Sequence, residues 1–424
     1  MGFEALIWGR PVRTFGMPFY AGWGLTQDDA APTGRRVPVP LPRLVHAALI
    51  DYSRYVHPET GQACQVEAVI AWLSLQRRMR GRYPSQLCAA GFSGWKKPFV
   101  REFFRGSHVA FVKEPRQVPA DAVAVAVWGR KHDDALTTSA PVIRLEDGFL
   151  RSVGLGASLI RPLSWVQDEI GIYYDAMRPS QLERLLATAE FPEELLQRAA
   201  GLRTQLCLAG ITKYNLAGGA IWRRPENGRR VVLVPGQVET DASIQYGASG
   251  IRGNVALLQA VRQACPDAWV LYKPHPDVVA RLRKAGENEA DAGRWCDEII
   301  GDVPLPDLLA QVEEVHVLTS LMGFEALLRG VPVVTYGQPF YAGWGLTRDN
   351  GLQDRVKARR TRRLSLDELV AATLLLYPTY VSRVTGQYTT PERALQELLE
   401  WRAERRNRTH ALCMKWIAWL FRKP

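Results

Sequence analysis

The first 29 residues, MGFEALIWGRPVRTFGMPFYAGWGLTQDD, return from Met322 as MGFEALLRGVPVVTYGQPFYAGWGLTRDN, an offset of 321 residues. A spacing of that size excludes solenoids and propellers, whose periods are tens of residues, and makes the repeating unit a whole domain or larger. The likeness continues: RLVHAALIDYSRYVHPETGQ from Arg43 matches ELVAATLLLYPTYVSRVTGQ from Glu368, four residues out of step with the first match. The first copy runs out near RGRYPSQLCAAGFSGWKKPF. In the second copy the methionine stands at a strand-to-helix connection, so the counterpart of everything before that junction is missing from the first. Residues 1–88 are therefore expected to be the tail remnant of a duplicated module, placed ahead of a complete one.

The 424 residues suffice for two or three ordinary cores, and 47% hydrophobic with 9% aromatic residues argues for packed domains rather than disorder. A net charge of +11, with pI near 9.5, suits an anionic partner: nucleic acid, a sugar nucleotide or an acidic membrane surface. No recognisable nucleic-acid module or aromatic-basic stripe is present, which disfavours the first. The six cysteines (Cys64, Cys88, Cys207, Cys265, Cys296, Cys413) form no CxxC pair, so neither a disulfide scaffold nor a zinc site is expected. ALIW before Gly9 is too short for a signal-peptide core, and no run approaches the roughly 18 apolar residues of a membrane span. A cytoplasmic protein is the expectation.

From Gly91 onward, short apolar runs alternate with helical patterns, the signature of α/β units. One sheet is expected to hold AVAVAVWG (Ala122 to Gly129) and PVIRLEDGF (Pro141 to Phe149), and a second RVVLVPG, AWVLYKPHP, EVHVLTS and PVVTYG. The Arg/Gly-rich GGAIWRRPENGRR (Gly218 to Arg230) reads as the linker between them. The expected organisation is a Rossmann-like domain at 89–225, a second at 226–363 and helices over 364–424. Two facing α/β domains with a cleft between them are an arrangement of many nucleotide-sugar glycosyltransferases. In open α/β sheets, ligands bind beyond the carboxyl ends of the strands.

The chemistry-bearing residues sit at such ends. In YKPHPD, prolines fix the backbone while Lys273, His275 and Pro276 open a helix, a natural phosphate site; the plainer alternative is a turn whose histidine only caps. In TSLMGFEALLRG, Thr319 and Ser320 serve as an N-cap, a phosphate ligand, or both, and Glu325 either accepts ribose hydroxyls or pairs with an arginine. In RLEDGFLRS, Glu146 and Asp147 end a strand beside Arg151; alternation along the strand predicts that one carboxylate faces the cleft, and Asp147 is favoured over a plain Asp-Gly turn. PGQVETD brings Gly236 and Gln237 to another strand end, as a loop or a substrate contact. The rings of PFYAGWGLT, present in both copies, are expected to pack within their own domain.

EDGFLRS, PGQVETDAS, YKPHPD, TSLMGFEALLRG and PFYAGWGLT, in that order, resemble the KpsC-type capsular polysaccharide proteins, the retaining β-Kdo glycosyltransferases. The resemblance covers about Gly91 to Gly386 and beyond, plus the tail copy. It implies a GT-B-like fold, two Rossmann-like domains with parallel sheets facing a cleft and a helical C-terminal segment. It also implies transfer of Kdo (3-deoxy-D-manno-oct-2-ulosonic acid) from CMP-β-Kdo, with retention, to a Kdo-terminated lysophosphatidylglycerol linker. Position in the family's tandem order suggests the β-2,7 linkage. The EDG and HP elements are also similar to motifs of bacterial sialyltransferases, which use a related CMP-activated keto-acid sugar.

Retention calls for two inversions through a covalent intermediate, with Asp147 the nucleophile and Glu146 assisting the acceptor hydroxyl. Lys273, His275, Pro276, Thr319, Ser320, Glu325, Gly236 and Gln237 would hold the donor, and Arg151 the Kdo carboxylate. No carboxylate cluster suggests magnesium, so neither metal nor cofactor is expected. RTHALCMKWIAWLFRKP, with Leu412, Trp416, Trp419, Leu420 and Phe421 beside Lys415, Arg422 and Lys423, reads as a helix lying on an anionic inner-membrane surface or docked on the protein. Other capsule synthesis and export proteins are expected partners, and a non-catalytic scaffold in such a complex is the rival reading.

Overall fold

Apolar runs that end in glycine or proline become the strands of two sheets, and the helical patterns between them cover the sheets' faces. The structure, a computed structural model, describes residues 1–30, 34–153, 160–213, 215, 219–301 and 303–404. It divides into two compact units, Met1–Arg78 and Met79–Pro424.

In the larger unit the first sheet takes β1 (Gln86–Ala90), β2 (His108–Val112), β3 (Val125–Trp128), β4 (Val142–Asp147) and β5 (Ser164–Asp168). The second takes β6 (Val231–Pro235), β7 (Trp269–Lys273), β8 (Glu298–Ile299), β9 (Glu314–Val317), β10 (Val333–Thr335) and β11 (Arg348–Asp349), in the order β8-β7-β6-β9-β10-β11, every pairing parallel. The chain then returns to the first sheet with β12 (Pro378–Val381) and β13 (Tyr388–Thr389), giving the order β13-β12-β5-β4-β3-β1-β2.

The GT-B-like α/β architecture is present, with an addition to the expected parallel sheets. β1 to β4 run parallel, but β5, β12 and β13 add antiparallel pairings, with Asp147 opposite Trp165. The segment 364–424 is accordingly more than helical. It supplies two strands, because Thr379, Tyr380 and Val381, β-branched or aromatic, suit a buried pleated surface. The boundary set at residue 88 also differs from the structure: β1 starts at Gln86 and already belongs to the first sheet. The basic apolar segment 408–424 lies outside the described residues. No described helix is long and apolar enough to cross a membrane.

Every residue of β6 is buried, as both faces of a parallel sheet require. Val231 and Leu233 join a large apolar cluster that runs on through Val166 and Ile172 of the first half and Leu202 of helix α1 (Glu193–Leu208). Val232 and Val234 face the other way, against Leu257, Leu258 and Val261 of helix α2 (Asn254–Ala264). Each such aliphatic side chain contributes roughly 1.5–3 kcal/mol of transfer free energy. One continuous core thus joins the two halves below their facing strand ends.

The smaller unit repeats the second copy's local order. Helix Gly2–Ile7 precedes the parallel pair Arg13–Thr14 and Gln27–Asp28; helix Leu41–His46 runs into a π turn, Ala47–Tyr52, as helix Leu366–Val370 runs into Ala371–Leu376. A short antiparallel pair, Tyr55–Val56 with Ala63–Cys64, and the helix Val66–Arg80 follow.

Candidate active site

The carboxyl ends of β4, β6 and β7 and the turn after β9 converge on a cleft of about 1040 Å³. Glu146, Asp147, Arg151, Gly236, Gln237, Lys273, His275, Pro276, Thr319, Ser320 and Glu325, the residues singled out from sequence, all line it.

On the first half, β4 delivers both carboxylates, where strand alternation predicted one. Asp147 is the last residue of its strand, and the Glu146 carboxylate turns along the chain so that Oε1 accepts the Asp147 backbone N–H at 3.0 Å. Burial, and then the negative charge of Asp147, push the Glu146 carboxyl up to about 7. Arg151 Nε donates to Asp147 Oδ2 at 2.6 Å, and Nη1 donates to Ser152 Oγ at 3.0 Å. Only 2% of Arg151 is exposed. Its position makes it the partner of Asp147, not an open cation waiting for a sugar carboxylate. Nothing in the sequence shows that the turn folds the fourth residue after Asp147 back onto it, which is why the sequence points Arg151 at the sugar carboxylate instead.

The second half is held by side chain to backbone bonds. Gln237 Oε1 accepts the Thr319 backbone N–H at 2.9 Å while Gln237 Nε2 donates to Thr319 Oγ1 at 3.0 Å, tying the ends of β6 and β9. Asn254 does the same for Gln237's own backbone, accepting its N–H and donating to its carbonyl, both at 2.9 Å. Gly236 permits this crowding: a Cβ there would lie 2.5 Å from the Tyr272 hydroxyl and 3.2 Å from the His275 amide.

His275 is the N-cap of helix α3 (Pro276–Val279), its Nδ1 accepting the Asp277 N–H at 3.2 Å. That bond fixes the neutral tautomer with the proton on Nε2, and burial lowers the imidazole's basicity, so near neutral pH the ring is an uncharged donor. The cap and the ligand-facing role coexist. Lys273, expected at a phosphate, instead sends its ammonium to the carbonyls of Gly301 and Val303 at 2.6 and 3.0 Å. Ser320 caps helix α4 (Leu321–Leu328), accepting the Met322 N–H at 3.2 Å. Glu325 Oε1 accepts the Lys213 backbone N–H at 2.7 Å, and burial raises its carboxyl.

Lys96, Trp95, Trp128 and Lys213 are among the cleft residues that the sequence does not announce. Lys96 sits with Nζ 2.9 Å from the ring centroid of Trp128, and Trp95 and Lys213 line the same wall. Burial draws the Lys96 ammonium down to about 8, against the pull of Asp147 and Glu146, which raise it. Lys96 is followed by Lys97, and only the 3-10 turn Gly94–Lys96 decides which of the two reaches the cleft.

The rings of PFYAGWGLT are buried in the second copy, but they do not keep to their own domain as expected: Phe340 crosses to rings of the first half. Tyr341 and Trp344 are fully buried, and Phe340 both lines the cleft and packs on Phe149 at 5.1 Å and Tyr173 at 5.7 Å. Among the described residues, Cys265, Glu314 and His316 form a group with metal-ligand chemistry. They stand away from the cleft lining, and Arg230 and Arg348 already supply the positive charge there, Arg348 at 3.2 Å and Arg230 at 3.5 Å from Glu314 and Arg230 at 3.2 Å from Cys265 Sγ. The group therefore carries no metal assignment.

The sequence profile of the capsule polysaccharide biosynthesis protein family matches residues 1–55 and 124–380. The capsule polysaccharide modification protein LipA of Neisseria meningitidis serogroup A is 40% identical over 96% of this chain, which spans 59% of that protein's length. The lipopolysaccharide-processing protein LpsZ of Rhizobium meliloti is 39% identical, with 73% of each chain covered. Among solved structures, the Thermosulfurimonas dismutans KpsC β-Kdo 2,7 transferase matches with a TM-score of 0.63 and 38% identity, over 74% of this chain and 99% of that one. The corresponding β-Kdo 2,4 transferase matches with a TM-score of 0.67 and 32% identity, over 75% and 99%.

Proposed function

Since the chain belongs to the capsule polysaccharide biosynthesis family, we propose that its larger unit is a retaining β-Kdo transferase, moving Kdo from CMP-β-Kdo to a Kdo-terminated lysophosphatidylglycerol linker. The observation that carries this reading is the facing of two unlike surfaces across one cleft. A strand-end carboxylate pair with a buried arginine stands on one side, and a neutral histidine donor beside a helix N-terminus stands on the other.

Asp147 attacks the anomeric carbon C2 of Kdo; the bond from C2 to the phosphate oxygen breaks and its electron pair leaves with CMP. Arg151 holds the Asp147 carboxylate in place and aimed. The leaving phosphate gathers charge against His275 Nε2–H and the amides that open α4, so it departs without a proton donor. The acceptor hydroxyl then attacks C2, its proton passes to Glu146, and the bond from C2 to Asp147 breaks. Two inversions return the starting configuration. A Glu146 carboxyl poised near 7 suits the second step. Lys273 serves by pinning the carbonyls of Gly301 and Val303 at the cleft's edge.

The reaction requires no metal or other cofactor. The higher identity to the 2,7 transferase favours a β-2,7 linkage; the slightly higher TM-score of the 2,4 enzyme points the other way, but it reports overall shape, whereas identity counts the side chains that would select a hydroxyl. A lipid-linked acceptor and the +11 charge support work at the cytoplasmic face of an anionic inner membrane.

The test is to incubate the protein with CMP-Kdo, regenerated in situ, and a labelled Kdo-terminated lipid acceptor, with Asp147→Ala and His275→Ala alongside. Mass spectrometry should show one added Kdo for the parent and none for Asp147→Ala, and NMR of the product should give a 2,7 linkage. A parent that adds nothing under conditions where a longer relative works would favour the scaffold reading.

A further inference from the structure

Two cations that line the cleft, Arg151 and Lys96, are engaged differently. Asp147 is engaged by Arg151 at 2.6 Å, whereas no carboxylate or carbonyl among the described residues forms an ion pair or hydrogen bond with the Lys96 ammonium; its contact is the Trp128 face. An ammonium set on an aromatic wall of a cleft, within the field of Asp147 and Glu146 but bonded directly to neither, is positioned to receive an anion from a ligand.

This step rests on the transferase reading. A 2-keto sugar acid carries its carboxylate on C1, one bond from the carbon that Asp147 attacks. That attack brings two anions together, with Glu146 as a third nearby, and each like charge opposes it. Arg151 is buried behind Asp147 and spent on it. We infer that Lys96 receives the C1 carboxylate of the donor sugar, holding it clear of Asp147 and selecting keto-acid sugars over neutral ones. Trp128 presses on the ammonium from the far side and stacks edge-on against Trp165 at 5.3 Å, which keeps the lysine's stem in place. Lys97 is directed to Phe111, with Nζ 5.2 Å from that ring, and does not line the cleft, so the two neighbouring lysines have different tasks.

The experiment compares the parent, Lys96→Met and Lys96→Arg with two donors, CMP-Kdo and its C1 carboxamide, and varies donor and acceptor concentrations separately. With CMP-Kdo, Lys96→Met should lose roughly ten- to a hundredfold in kcat/KM for the donor, the range for a lost hydrogen bond to a charged group. Lys96→Arg should recover part of the loss, acceptor KM should hold, and with the carboxamide the parent and Lys96→Met should be equal. An equal loss with both donors, or a rise confined to acceptor KM, overturns the assignment. Calorimetric titration of CMP-Kdo without acceptor separates the two proposals: binding by the parent that weakens in Lys96→Met supports the lysine's role even where transfer fails. Binding unchanged in that variant refutes it while leaving the transferase reading standing, and absence of parental binding and transfer refutes both.

Discussion

Glu146 and Lys96 are opposite ends of one electrostatic arrangement, and their ionisations bracket the working range. Burial raises the acid to about 7 and lowers the base to about 8. If Glu146 must be ionised to take the acceptor's proton and Lys96 must be charged to hold a carboxylate, kcat/KM rises as pH passes about 7 and falls as it passes about 8. Because the groups interact, the two limbs belong to the set rather than to single residues. Glu146→Gln should erase the acid limb and Lys96→Arg should move the alkaline limb beyond the measurable range; a profile flat from about pH 6 to 9 would sink both roles. The same shift has a stability sign. Folded Glu146 keeps its proton above the unfolded value of 4.5, so its burial begins to cost stability above that pH and does so fully above about 7. Glu146→Gln should therefore gain up to about 3 kcal/mol at pH 8 and nothing at pH 4, as read by denaturant titration.

At the level of elements, strand ends carry the site and close packing fixes them. The Gly236→Ala substitution sets a methyl 2.5 Å from the Tyr272 hydroxyl, which donates to Glu289, and beside the His275 amide. Overpacking of this kind costs typically about 1–3 kcal/mol, so the variant should unfold earlier and bind donor less well. What could be read from sequence at this scale follows from the same physics. β6 and β7 are apolar runs that stop at chemistry-bearing turns, and such runs announce themselves; β9, in which Val315 and Val317 alternate with Glu314 and His316, is legible from its β-branched residues and the turn after it. SWVQD, the whole of β5, does not, because the sheet buries Ser164, Gln167 and Asp168 through bonds made by distant partners: Leu150 O for the serine, Thr379 for the glutamine and Tyr377 for the aspartate. Motif positions at strand ends located Asp147, His275 and Ser320. Arg151's engagement and Lys96's approach depend on turn geometry that spacing does not encode.

Across the whole chain, the duplication persists down to single hydrogen bonds. Trp23 Nε1 donates to the Phe19 carbonyl at 2.8 Å, as Trp344 does to Phe340; Arg36 reaches the carbonyls of Pro18 and Ala21 as Arg360 reaches those of Pro339 and Ala342; Asp28 and Asp349 each collect two threonine hydroxyls and a glycine amide. The scaffolding matches while the burial differs, for Phe19 is 53% exposed and its counterpart Phe340 5%. A network without a core over it opens readily. Amide hydrogen exchange should therefore be fast along residues 1–65 and slow in β4, β6 and β9; comparable protection in both regions would show that the smaller unit is stabilised by more than its own packing.

The late return of β12 to the first sheet also sets an order of events during synthesis. Between Asp168 and Pro378 the ribosome must add some 210 residues, which at about 5–20 residues per second takes roughly 10–40 s. Through that interval β5, with Trp165 and Val166 on it, waits as an unprotected sheet edge while the second sheet is made and folded. At this edge the nascent protein is therefore exposed to misassembly and to chaperones until β12 emerges to cover it.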